Sequence, residues 1–180
     1  QAKKQSINVI NCDPHTDFRP LEGRHSGNGF SYAYQENYLN KYSVFCMHEQ
    51  YNTASVLKDF TKHNHRLFYS TYENVFVRDH QLLSDALNQN INFVKNDWSG
   101  VEIDLDAITN VPSSAKTSSG ISPVQARQYT YQCGKQLNAL YLHIAEGAPI
   151  LSHIKADNKT GKLIAYLITD FIKGVKESVS

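Results

Sequence analysis

The chain has 180 residues, enough for one domain with a substantial core and requiring no second. Lys and Arg number 18 against 17 Asp and Glu, a formal net charge of +1, so there is no basic footprint for nucleic acid. No apolar run approaches the ~18 residues of a membrane span. Cys12, Cys46 and Cys133 are odd in number and without paired spacing, which argues for a reducing compartment, hence a cytoplasmic location. Residues 1–6 lead into no apolar segment long enough for a signal peptide.

Residues 7–12 read as a first strand, ended by Asp13-Pro14 because proline cannot donate to a ladder. A polar loop with Gly23, Gly27 and Gly29 follows, then an aromatic segment, residues 32–39, expected as a short helix. Strands are predicted over 42–47 and 67–70, with a helix over 53–62 between them and another over 78–88. The clearest strand is 101–106, where Val101, Ile103 and Leu105 alternate with acids. After a Ser/Thr/Gly-rich loop, Ser122-Pro123 with Gln125 marks the start of a helix. A fifth strand, 140–145, and a last helix, 161–175, close the pattern. Alternating strands and helices predict an α/β fold, with an open, mostly parallel sheet and sites beyond the carboxyl ends of its strands.

Two acidic clusters sit at such ends. Asp13, His15 and Asp17 follow the first strand at i, i+2 and i+4; Asp104 and Asp106 end the clearest one. Carboxylates with an imidazole suit a divalent ion such as Mn²⁺, Zn²⁺ or Fe²⁺. If the two strands are neighbours, four carboxylates share one crevice, and a pair of cations would cancel their repulsion. Taken singly, each cluster is equally a set of strand-end caps. Glu146 follows the fifth strand and could face the same crevice or act locally. Arg19 and Arg24 could grip a substrate carboxylate or pair with Asp17 or Glu22. His143 reads as a packing residue, and His48, His63, His65, His80 and His153 lack comparable company. The tyrosine-rich stretch from Tyr32 to Tyr42 is better explained by packing than by base stacking. A metallophosphoesterase would need more His or Asn ligands and a phosphate grip, neither of which is evident.

The Asp13-Pro14-His15-Thr16-Asp17 and Asp104-Leu105-Asp106 motifs together resemble the metal-binding signatures of the arginase, agmatinase and formimidoylglutamase superfamily. Ser26-Gly27-Asn28 resembles its substrate loop, Ser119-Gly120-Ile121-Ser122-Pro123 the segment after the second aspartate pair, and Glu146-Gly147-Ala148-Pro149 its late Glu-x-x-Pro element. The likeness spans residues 7–175. It implies a three-layer α/β/α fold and two manganese ions, with Asp13 and Asp104 bridging them, Asp17 on one ion, and His15 and Asp106 on the other. Asp17 would also be the catalytic proton carrier, and Arg19, Arg24, Ser26, Asn28 and Glu146 the substrate contacts. The implied substrate is a small cationic or zwitterionic C=N compound, whose electron-poor carbon is attacked by an activated water. Gly29-Phe30 and Asp17-Phe18-Arg19-Pro20 look most like the formimidoylglutamase branch, with arginine or agmatine hydrolysis and a noncatalytic oligomerisation module as alternatives.

Family members also take a ligand from an earlier Gly-Gly-x-His-type segment. Only twelve residues precede Asp13. The expectation is therefore that residues 1–180 are the C-terminal part of one arginase-like catalytic domain, lacking its first strands, with one metal position short a histidine, and that it forms a homo-oligomer.

Overall fold

A computed structural model describes residues 5–148 and 158–179; Pro149 and His153 lie outside them. Five strands, β1 (Ile7–Cys12), β2 (Leu39–Met47), β3 (Leu67–Thr71), β4 (Ser99–Asp104) and β5 (Ala139–Ala145), form one sheet in the order β3-β2-β1-β4-β5. Every pairing is parallel. The helices are α1 (Gly29–Gln35), α2 (Ala54–Lys62), α3 (Leu83–Val94), α4 (Pro123–Gln136) and α5 (Lys159–Ser178).

The alternation of β1 sorts the two faces. Val9 joins Leu39, Tyr42, Val44, Val56, Phe60 and Leu67 in one core layer, under α1 and α2. Ile10 and Cys12 join Phe45, Val101 and Ile103 in the other, under α3, α4 and α5. The result is three layers, α/β/α. Ser43, Ser70 and Asn90 form a buried polar network in this core. Asn90 of α3 donates to the Ser70 hydroxyl at 2.8 Å and the Ala86 carbonyl at 2.7 Å, and accepts from the Ser43 hydroxyl at 2.7 Å. The α4–α5 contact rests on Gly134 and Gly174. A Cβ on either would collide with a backbone carbonyl of the facing helix, that of Phe171 or Tyr131.

Three expected elements move. The helix predicted over 32–39 is instead α1, three residues earlier, and Leu39 already belongs to β2; Asn37, at φ 60°, makes the break. The helix predicted over 78–88 resolves into a single π turn (Glu73–Val77), a bend at Asp79 (φ 52°), and α3 further on. Asn90 lies inside the apolar stripe of α3 and disguised its second half. The strand predicted over 101–106 is β4, two residues earlier, so Asp106 stands on the turn Leu105–Ala107 rather than on the strand. α4 begins where expected, its Ser122–Gln125 capping box formed.

The chain runs β1, β2, β3 to one side and then returns to place β4 on the other side of β1. The direction of winding therefore reverses between β1 and β4, where the acids lie.

Candidate metal centre

Register brings the acids onto one face. Asn11 pairs with Glu102, and Glu102 with His143, so these three side chains share a face, with Asp13 and Asp104 two residues further along β1 and β4. Asn11, Asp13, Asp17, Glu102, Asp104 and His143 line one cavity of about 260 Å³, with Phe30 over it from α1.

The same local device sets both strand-end aspartates. Asp13 Oδ1 accepts from the His15 backbone N–H at 2.7 Å, and Asp104 Oδ1 accepts from the Asp106 N–H at 2.7 Å. Each is a turn closed by an aspartate onto the backbone two residues on. Asp13 Oδ2 also accepts from Asn11 Nδ2 at 3.1 Å, while Asp106 Oδ1 accepts from Ala115 N–H at 3.1 Å. His15 lies with Nδ1 3.3 Å from Asp13 Oδ1 and its ring stacked on Tyr51 at 5.2 Å.

These carboxyls are short of positive charge. Burial, then the proximity of Asp13, pushes Asp104 up to about 8; the hydrogen bond from the Asp106 N–H opposes them, and the Asp106 and Glu146 charges add to the rise. Burial and Asp13 push Asp17 up to about 7, although His15 and Arg19 oppose them. The hydrogen bond to Asp13 raises the His15 imidazole. Asp17 and Glu146 both occupy left-handed backbone, at φ 48° and 60°, which is costly for residues with a Cβ and is found where function demands a particular aim.

The loop residues divide. Arg19 is exposed and acts on Asp17 through its charge. Arg24 does not reach the acids: it pairs with Glu36 at 3.0 Å, covers Tyr32, and lines a separate groove of about 400 Å³. Ser26 is exposed at the start of a turn. Asn28 is fully buried, donating to the Pro20 and Gly23 carbonyls and accepting from the His25 N–H, so its amide locks the loop. Neither Ser26 nor Asn28 lines the acid cavity. His143 corrects the sequence reading in the opposite direction. It is 61% exposed on the edge strand, paired with Glu102 at the cavity wall. Counting back two residues from Asp104 would have found Glu102, but only strand pairing finds His143. His48 is buried between Tyr51 and Tyr72, with Glu73 at 3.6 Å.

Donor types and charge deficit fit a divalent cation. Among the described residues, no three His, Cys, Asp or Glu side chains are arranged to hold an ion.

A parallel α/β/α fold with acids at the reversal of its sheet defines an arginase-like architecture. The chain belongs to the arginase family, whose model matches residues 1–173. It is similar in structure to formimidoylglutamase from Bacillus subtilis, at 20% identity and a TM-score of 0.80, over 98% of this chain and 55% of that one. It is also similar to Trypanosoma cruzi formiminoglutamase with Mn²⁺ (20%, 0.76, 97% and 58%) and to Bacillus subtilis arginase (16%, 0.74, 93% and 62%). The chain thus spans 55–62% of the length of these structures. No curated protein matches the sequence.

Proposed function

We propose that this chain carries the metal-binding half of a manganese-dependent hydrolase of linear C–N bonds, and that its substrate is formimidoylglutamate, released as glutamate and formamide. Asp13, His15, Asp17, Asp104 and Asp106 would hold two manganese ions. Bound there, manganese supplies Lewis-acid polarisation and a water acidic enough to react near neutral pH. The observation that carries the reading is the pair of neighbouring strand ends at which burial, and then the Asp13 charge, drive the Asp104 and Asp17 carboxyls toward the protonated form. A crevice of that kind is stable with its acids ionised only when cations enter it.

The remaining chemistry belongs to the chain's own groups. Asp17, at the cavity wall, passes a proton to the departing nitrogen as water oxygen adds to the formimino carbon and the C–N bond to glutamate breaks. Glu146 is exposed and acts by charge on both Asp17 and Asp104, so it draws the amidinium end of the substrate toward the acids. Arg19 is the cation placed to grip a substrate carboxylate. Phe30 closes the cavity from α1.

A noncatalytic relative, or an oligomerisation module that kept the acids, is favoured by a specific observation: the described donors do not close into a three-residue cage. Mn²⁺ titration followed by thermal unfolding separates the two, and a panel of formimino and guanidino compounds reads the substrate. Mn²⁺-dependent formamide release supports the proposal; turnover of arginine alone overturns the substrate, and no metal-dependent shift at all favours the noncatalytic reading. Light scattering in the same samples tests the homo-oligomer.

A further inference from the structure

We infer that His143, held by Glu102, donates its imidazole to the cation bound at Asp104. The inference rests on the metal-binding reading above and adds to it a ligand from a third strand.

Three observations carry it. First, His143 is the one histidine, among the described residues, that lines the acid cavity; His15 approaches from the loop behind Asp13. Second, the register is suitable. His143 stands opposite Glu102, and Asp104 lies two residues beyond Glu102 on the same face. With strands ~4.8 Å apart and ~3.3 Å per residue, the Cα atoms of His143 and Asp104 are about 8 Å apart, a span that an imidazole and a carboxylate meeting at one ion can bridge. Third, its Nδ1 faces the Glu102 carboxylate, and donation of an Nδ1–H to that carboxylate leaves the Nε2 lone pair for a cation. A carboxylate holding the far nitrogen of a coordinating histidine raises its basicity and is a recurrent support of metal sites. Glu102 is itself steadied by Tyr141, whose hydroxyl hydrogen-bonds to it while its ring lies against Gly100, where a Cβ would obstruct it.

A packing role does not account for this arrangement. His143 is largely exposed on the edge strand and covers little apolar surface there. A surface ion pair alone would need no alignment with the acid row.

The test uses the whole chain and Mn²⁺ alone, with affinity read by calorimetry and nitrogen coordination by pulsed electron paramagnetic resonance. Expected results are a loss of Mn²⁺ affinity of at least tenfold in His143→Ala and of ~10-fold in Glu102→Gln. In His15→Ala, ¹⁴N coupling to Mn²⁺ should persist, and it should vanish in the His15→Ala/His143→Ala double variant. Unchanged affinity in a folded His143→Ala protein, or loss of all ¹⁴N coupling in His15→Ala, overturns the inference and leaves the metal-binding reading standing. Should His143→Ala fail to fold, Glu102→Gln and the His15→Ala spectrum decide. A wild-type chain that takes up no Mn²⁺ overturns both.

Discussion

Replacing Asp104 by asparagine should stabilise the metal-free protein. Asp104 is 8% exposed, and its carboxyl is raised from 3.8 to about 8, first by burial and then by Asp13. A carboxyl raised in the folded state favours folding fully only below its unfolded pKa, and that stability is lost as pH rises toward the folded value. For Asp104 the window runs from about pH 4 to about pH 8. Each pKa unit corresponds to ~1.36 kcal/mol, so the part of the shift expressed by pH 7.5 costs about 5 kcal/mol. Side-chain movement and water entering the crevice should roughly halve it, to about 2–3 kcal/mol, or ~5–10 °C in Tm for a chain of this length. The asparagine side chain retains an oxygen to accept the Asp106 N–H, so the turn is preserved. The assay is calorimetric unfolding in EDTA at pH 5, 6.5 and 8. Wild type should weaken steadily over that range, and Asp104→Asn should overtake it by pH 8. With excess Mn²⁺ the order should reverse, because a carboxylate holds the ion far more strongly than a neutral amide does. A variant less stable than wild type in EDTA at pH 8, or a difference indifferent to pH, would refute the reasoning and make Asp104 an ordinary strand-end cap.

Two further variants probe the scaffold. Asn90→Ala strands the buried Ser43 and Ser70 hydroxyls and should cost about 2–4 kcal/mol in urea unfolding; a loss below ~1 kcal/mol would mean that the buried network contributes little. Gly174→Ala improves helix propensity by ~1 kcal/mol, yet its Cβ meets the Tyr131 carbonyl, so a net loss of about 1–3 kcal/mol is expected; a stabilised variant would show that α5 can shift without penalty.

The parallel sheet and its layers were legible in the alternation of strands with helices along the chain, since each crossover brings a helix. The strand order was not, because β1 and β2 are buried along nearly their whole length and do not announce their neighbours. What periodicity misses is competition. α3 was misplaced because Asn90, satisfied by two serines from β2 and β3, breaks the stripe that a helix normally displays. α1 was misplaced because Asn37 takes a left-handed turn that no apolar spacing announces. At the site, the two motifs pointed to Asp13, Asp17 and Asp104, whereas Glu102 and His143 become neighbours only through β4–β5 pairing. Asn28 shows the opposite failure. A residue type suited to substrate contact is taken up by three hydrogen bonds within its own loop, to the Pro20 and Gly23 carbonyls and from the His25 N–H.

The spacing of the two motifs follows from the turns that close them. In each, the first aspartate must leave a pleated strand and still hold one rotamer, and the N–H two residues on is the donor within reach of its Oδ1. The residue that supplies that N–H, His15 in one case and Asp106 in the other, then projects a second donor side chain from the same turn. One residue orients and the next but one adds to the donor set, so an acid at i with a ligand type at i+2 is a self-positioning pair. The two pairs sit on adjacent parallel strands at the point where the winding reverses, and their first members, Asp13 and Asp104, line one cavity. The raised carboxyls of Asp17 and Asp104 show that holding these acids together costs the metal-free fold, a cost that a cation bound as proposed would remove.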